Sequence, residues 1–190
     1  MDYRKSAVLG FAAVVWLSIL AAQATAQQVP PLVVKPLKGG VYWTQGGAGG
    51  NTGIIIGDTG VIIIDAKTTP ESAKEMLSEV AKITPKPVTH VILTHSDRDH
   101  VNGLAAFPKD VKVIAHAGNK KEQEAALSAG GPSAPPREYL PSQVVTKERE
   151  SLKIAGVRFT LIHVVPAHTS GDLAIYLPDQ KIVLDRKSVV

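Results

Sequence analysis

The chain has 190 residues, with 21 Lys and Arg against 17 Asp and Glu, a net charge of +4 and no Cys. The lack of Cys excludes disulfides, a thiolate metal ligand and a cysteine nucleophile. A small positive charge spread along the chain, with no basic cluster interleaved with aromatics, excludes a nucleic-acid footprint. The length suits one domain with a true core.

Arg4 and Lys5 precede an apolar run, Ala7 to Ala22, and Ala24-Thr25-Ala26 follows it. A basic start, an apolar stretch and a small-residue end read as a secretory signal peptide over residues 1–26, cut after Ala26. The alternative is an uncleaved membrane anchor, for which the run is slightly short. Cleavage removes two basic and one acidic residue and leaves a net charge of +3. It predicts a periplasmic or secreted protein with no stable membrane association.

Residues 27–40 form a Pro-rich N-terminal segment, and one domain is expected over residues 41–184. Val41 to Thr44, Thr52 to Ile56 and Val61 to Ile64 read as antiparallel strands, the last two joined by the turn Gly57-Asp58-Thr59-Gly60. The stretch Gly46-Gly47-Ala48-Gly49-Gly50 matches neither phosphate-loop spacing and precedes a strand, so it reads as a hairpin tip. Asp65 ends the third strand, either as a buried carboxylate near the site or as a turn residue. Thr69 caps and Pro70 opens a helix running to about Ile83, and Pro85 and Pro87 stop it.

The β-branched run Val88 to Thr94 is too short for an ordinary helix and predicts a buried strand. It delivers His95, Asp97, Asp99 and His100 onto the loop at its carboxyl end, where open α/β sheets place chemistry. His95 with Asp97 can face one ion and Asp99 with His100 a second. Imidazole and carboxylate suit zinc, and also iron or manganese. A polar turn capping the next helix through Asp99 would need fewer such residues.

A short helix from Asn102 to Phe107, a strand from Val111 to Ala115 and a helix from Asn119 to Ser128 follow. His116, His90 and His163 sit at a strand end or in apolar runs and read as packed or edge histidines. Gly130 to Ser142 is a long loop. Ser151 to Ala155, Val157 to Val165, Leu173 to Leu177 and Lys181 to Leu184 predict a second set of strands, with His168 on the loop after the second.

The loop from His95 to His100 resembles the His-x-His-x-Asp-His signature of the metallo-β-lactamase fold hydrolases, a superfamily that includes the glyoxalase II-like enzymes. His95, Asp99 and His100 stand in matching positions, and Asp97 stands where the family has its second histidine. Pro166-Ala167-His168-Thr169-Ser170-Gly171-Asp172 resembles the family's downstream Gly-His-Thr-x-Gly segment. Two motifs in this order are far more specific than either alone.

The resemblance implies an α/β fold, a four-layer αβ/βα sandwich with metals at one edge, and a hairpin tip overhanging the site. It implies two zinc ions, with iron or manganese as alternatives. His95, Asp97 and His168 would hold the first, and Asp99 and His100 the second. Asp99 would also orient the attacking water as the catalytic carboxylate. The expected activity is metal-dependent hydrolysis of a small-molecule substrate, with hydroxide attacking an ester, thioester, lactone or amide carbonyl. An iron-dependent redox enzyme and a non-catalytic metal-binding protein are the other classes, and Asp97 permits the last.

In the family, a strand like Lys181 to Leu184 leads into a Gly-Asp pair whose aspartate bridges the metals, and a further histidine follows. Here Asp185-Arg186-Lys187-Ser188-Val189-Val190 stands instead, and the start of a widely used sequencing adaptor would encode the same six residues. Residues 185–190 are therefore expected to be a non-native tail, and the domain to be incomplete beyond Leu184.

Overall fold

The computed structural model describes residues 29–130 and 136–185. The expected signal peptide lies outside the described residues, as does all of the expected tail except Asp185. Among the described residues, no helix is long and apolar enough to cross a membrane.

Four short strands open the fold: β1 (Val33–Pro36), β2 (Val41–Gln45), β3 (Gly53–Ile56) and β4 (Val61–Ile64). They pair antiparallel in chain order. The helix α1 (Pro70–Ile83) then crosses to β5 (Val88–Ile92), which lies parallel to β4. A four-residue helix α2 (Arg98–Val101) and a 3-10 turn (Asn102–Ala106) lead to β6 (Lys112–His116). After α3 (Ala117–Ser128) the strand β7 (Gln143–Val145) closes a seven-stranded sheet in chain order. The strands β8 (Arg149–Ile154), β9 (Val157–His163), β10 (Leu173–Leu177) and β11 (Ile182–Leu184) form a separate antiparallel sheet ordered β11-β10-β9-β8.

The central strands are buried on both faces, which is why they read as unbroken apolar runs. Alternate residues separate into two cores. Ile54, Ile63, Val91 and Val113 pack against Met76, Val80, Leu104 and Phe107 of the helical side. Ile55, Ile62, Ile92 and Ile114 pack against Phe159, Leu161, Ile175 and Leu184 of the second sheet. The described residues thus form helix, sheet and sheet layers of the expected sandwich.

Local chemistry fixes the element ends. The Thr69 side chain accepts from the Ser72 amide while the Ser72 hydroxyl accepts from the Thr69 amide, a reciprocal cap, and Pro70 sits at the first turn. Two strands escaped the sequence reading. β1 lies in the Pro-rich N-terminal segment, where Pro is tolerated because the strand is at a sheet edge. β7 is three residues long, too short for a periodic signal, and is recruited by pairing with β6. The helical turn expected from Asn102 begins earlier, at Arg98, because the Asp97 carbonyl already accepts from the His100 amide at 2.9 Å.

Candidate metal centre

The loop after β5 and the loop after β9 meet at one end of the two sheets, with a backbone bond from the Leu173 amide to the Thr94 carbonyl at 2.8 Å. Asp97 on the first loop and His168 on the second are 71 residues apart in sequence, yet Oδ2 and Nε2 lie 2.7 Å apart. His95 Nε2 is 3.5 Å from the same Asp97 oxygen. The donor atoms of His95, Asp97 and His168 all lie within 4.8 Å of one another. Asp99 Oδ2 lies 3.3 Å from His100 Nε2, and the His95 and His100 ring centroids are 4.1 Å apart. The structure thus gathers His95, Asp97 and His168 into one candidate donor group and sets Asp99 beside His100, while a second group of close donor atoms is formed by Asp65, His95 and His100.

Asp65 organises the buried half. At the end of β4 the backbone turns through φ +66° at Asp65 and +71° at Lys67, a left-handed conformation rare for residues with a side chain. This turns the buried Asp65 carboxylate inward. Its Oδ1 accepts from the Thr94 amide at 2.8 Å. Its Oδ2 accepts from the Thr94 hydroxyl at 2.7 Å and from His100 Nδ1 at 2.7 Å. With its proton on Asp65, the Thr94 oxygen is left to accept from His95 Nδ1 at 2.9 Å. The network thus assigns the proton of both histidines to Nδ1 and leaves Nε2 as the free donor, as ligating histidines require. Although its oxygens come close to His95 and His100, Asp65 is saturated by N–H and O–H donors and acts behind them.

Burial pushes the His95 imidazole below its ordinary range and outweighs the raising effect of Asp65, which keeps it neutral. Burial pushes His100 the same way, but the Asp65 hydrogen bond and charge, with Asp99 and Asp97, prevail and raise it.

The residues fit a metal ion by their donor set: two imidazoles and a carboxylate converge, suited to zinc, iron or manganese once the proton shared by His168 Nε2 and Asp97 is released. Gly50 packs against the His100 ring so closely that any side chain there would collide with it. Gly50 belongs to the glycine tip, which does lie over the site, its amide donating to the Asp99 carbonyl at 3.0 Å. Gly103 is required for a different reason, since a side chain there would collide with the Ala66 carbonyl under the loop.

Several contributors carried no signal in the sequence. Lys67 is fully buried, and its ammonium donates to the carbonyls of Gly46 and Gly50, both at 2.9 Å, fastening the glycine tip. Burial lowers its pKa to about 8, with Glu75 opposing. Asp172 accepts from the amides of His168 and Thr169, each at 3.0 Å, and so shapes the His168 turn; its place four residues after His168 was the available clue. His116 and His163 stack with centroids 3.6 Å apart beside the site and enter neither donor group. His90 accompanies Thr89 on β5, away from the loop. Ser96, Arg98, Glu122, Gln123, His168 and Thr169 line a cleft of about 390 Å³ opening at Asp97.

The sequence profile of the Metallo-beta-lactamase superfamily matches residues 46–184. The chain belongs to this superfamily. Among superfamily relatives, the 2,4-dinitroanisole O-demethylase subunit alpha of Nocardioides sp. (strain JS1661) is 32% identical over 156 residues, which cover 81% of this chain and 45% of that protein. The hydroxyacylglutathione hydrolase of Pseudomonas syringae pv. syringae (strain B728a) is 28% identical, covering 60% of this chain and 38% of that protein. Among solved structures, the stereoselective inverting sec-alkylsulfatase Pisa1 from Pseudomonas sp. superposes with a TM-score of 0.67 at 22% identity, over 78% of this chain and 30% of that one. The chain spans less than half the length of these curated relatives.

Proposed function

We propose that this superfamily member is an exported metal-dependent hydrolase, with His95, Asp97 and His168 holding one ion and Asp99 and His100 a second. The observation that carries the reading is the convergence of Asp97 and His168 to 2.7 Å from loops on different sheets, beside a His95 whose bare Nε2 faces them. When bound, zinc supplies Lewis acidity, polarising a carbonyl oxygen and letting water ionise near neutral pH.

The chain's own residues supply the rest. The Asp99 carboxylate, about half exposed and 3.3 Å from His100 Nε2, can accept a proton from a water or orient it. Asp65 holds both histidine rings in place through Thr94 and His100 Nδ1, which reduces the reorganisation needed during reaction. The glycine tip, fastened by Lys67, covers the His100 side and keeps bulk water from it. The cleft beside Asp97 receives the substrate, an ester, thioester, lactone or amide. Export rests on Arg4, Lys5, the apolar run and Ala24-Thr25-Ala26.

The carboxylate at position 97 favours harder ions than a histidine would, so iron and manganese stay in the comparison. The test is metal content of the purified chain, followed by chelation, reloading with zinc, iron or manganese, and assay on ester, thioester, lactone and β-lactam panels. Hydrolysis lost on chelation and restored by zinc supports the reading. Iron retained with no hydrolysis on any panel moves it to redox chemistry, and no metal bound at all refutes it.

A further inference from the structure

Among the described residues, one side chain outside the two loops of the site hydrogen-bonds to both. Glu122 lies in the second turn of α3, an element that donates no ligand. Its Oε2 accepts from the hydroxyl of Ser96, which stands between His95 and Asp97. Its Oε1 accepts from the Ser170 amide at 3.0 Å and the Ser170 hydroxyl at 2.8 Å, two residues beyond His168. No lysine or arginine pairs with it among the described residues, so three neutral donors from two distant loops hold the carboxylate.

The His168 turn needs such a tie. Asp172 makes the turn a compact unit, but it bonds only within the turn. The backbone bond from Leu173 to Thr94 anchors the base of the turn, and His163 Nε2 reaches the Ser170 carbonyl at 3.2 Å from the β9 side. Apart from the His168–Asp97 contact itself, whose geometry is what must be held, none of these contacts joins the tip to the loop carrying Asp97. A helix serves well for that task, since its side chains start from a rigid backbone. The approach is close: a side chain at Gly118 would collide with the Ser170 carbonyl, and one at Gly171 with the Asn119 backbone.

We propose that Glu122 is a positioning residue for the metal centre, clamping the Ser96 and Ser170 turns so that His95, Asp97 and His168 meet at a fixed spacing. This rests on the metal-binding reading of the same residues. Outer partners of metal ligands change affinity by roughly ten- to a hundredfold when removed. A clamp acting on ligands from two loops should behave in the same range.

The test uses the full chain, zinc competition with a chromophoric chelator, and the visible spectrum of the cobalt-loaded protein. Glu122→Ala is expected to weaken the His168-containing site at least tenfold, to leave the His100 site within twofold, and to alter the cobalt bands. Glu122→Gln, which keeps an acceptor for Ser170, recovers most of the affinity and the wild-type spectrum. Ser96→Ala and Ser170→Ala each cost less, and neither adds to Glu122→Ala. If Glu122→Ala fails to fold, the two serine variants and their double carry the test: non-additive losses support the clamp, and additive ones overturn it. Unchanged zinc affinity and cobalt spectrum in Glu122→Ala, with wild type binding zinc, overturn the clamp alone. A wild-type chain that binds none of zinc, cobalt, iron or manganese overturns both the clamp and the metal reading.

Discussion

The two halves of the candidate centre are built by opposite means. On the side of the seven-stranded sheet, His95 and His100 are almost fully buried, and one carboxylate, Asp65, fixes both through Thr94 and Nδ1. On the side of the four-stranded sheet, His168 is about half exposed, its turn is shaped by Asp172, and its place relative to Asp97 depends on bonds between loops. One half is preorganised by burial and the other by a few side-chain ties. Changes in the first half should therefore register as lost stability, and changes in the second as lost metal affinity with the fold intact.

The sharpest way to break this contrast is Asp65→Ala. It leaves the Thr94 amide, the Thr94 hydroxyl and His100 Nδ1 without their acceptor in a buried place, and should cost on the order of 3 to 4 kcal/mol in urea unfolding. A loss under about 1 kcal/mol would mean that the network is not what holds this half.

Next come the two histidines compared directly. His168→Ala should weaken the ion shared with His95 and Asp97 roughly a hundredfold while leaving the melting temperature near wild type. His100→Ala should remove the other ion selectively and also lower the melting temperature, because it takes one of three donors from the buried Asp65 carboxylate. Zinc titration with a thermal melt on each variant reads both effects, and retention of both ions in His100→Ala would refute its assignment.

Lys67→Met tests the tie on the glycine tip. It leaves the Gly46 and Gly50 carbonyls unpaired and should cost about 2 kcal/mol near neutral pH. The folded-state pKa of Lys67 is lowered to about 8 from the 10.5 of an exposed lysine, so above pH 8 the unfolded chain holds more protons than the folded one. Wild-type stability relative to the variant should accordingly rise between about pH 8 and 10.5, as followed by unfolding at several pH values; a flat difference would show that the ammonium is not buried in solution.

The smallest effect is expected for Asp97→His. Restoring an imidazole beside His95 and His168 should raise zinc affinity at that site about tenfold and reduce its preference for iron or manganese. Unchanged stoichiometry and affinity by titration would count against Asp97 as a ligand.

Much of this was legible in the residues themselves. The run from Val88, the four donors from His95 to His100, the Thr69-Pro70 helix start and the strand pairs flanking Gly57 to Gly60 are local signals, set by periodicity, capping and turn chemistry. The dense loop and the His168 segment announced a metal site and resembled the superfamily to which the chain belongs. Asp65 stood open between a turn and a buried carboxylate because its role depends on which strand lies beside β4. Only the parallel pairing with β5 puts Thr94 and His100 within its reach.

Lys67 and Glu122 were silent for the same reason. A lysine after a strand and a glutamate in a charged helix are ordinary in sequence, and nothing local distinguishes them from solvated residues. The sequence by itself determined most of the elements and the density of candidate donors between His95 and His100, because those follow from neighbours a few positions apart. The tertiary structure alone decided which carboxylate stands behind the histidines, which lysine fastens the glycine tip, and how far Asp97 lies from His168. Each of those depends on a contact between segments tens of residues apart, fixed by the packing of the two sheets and α3 rather than by any local preference.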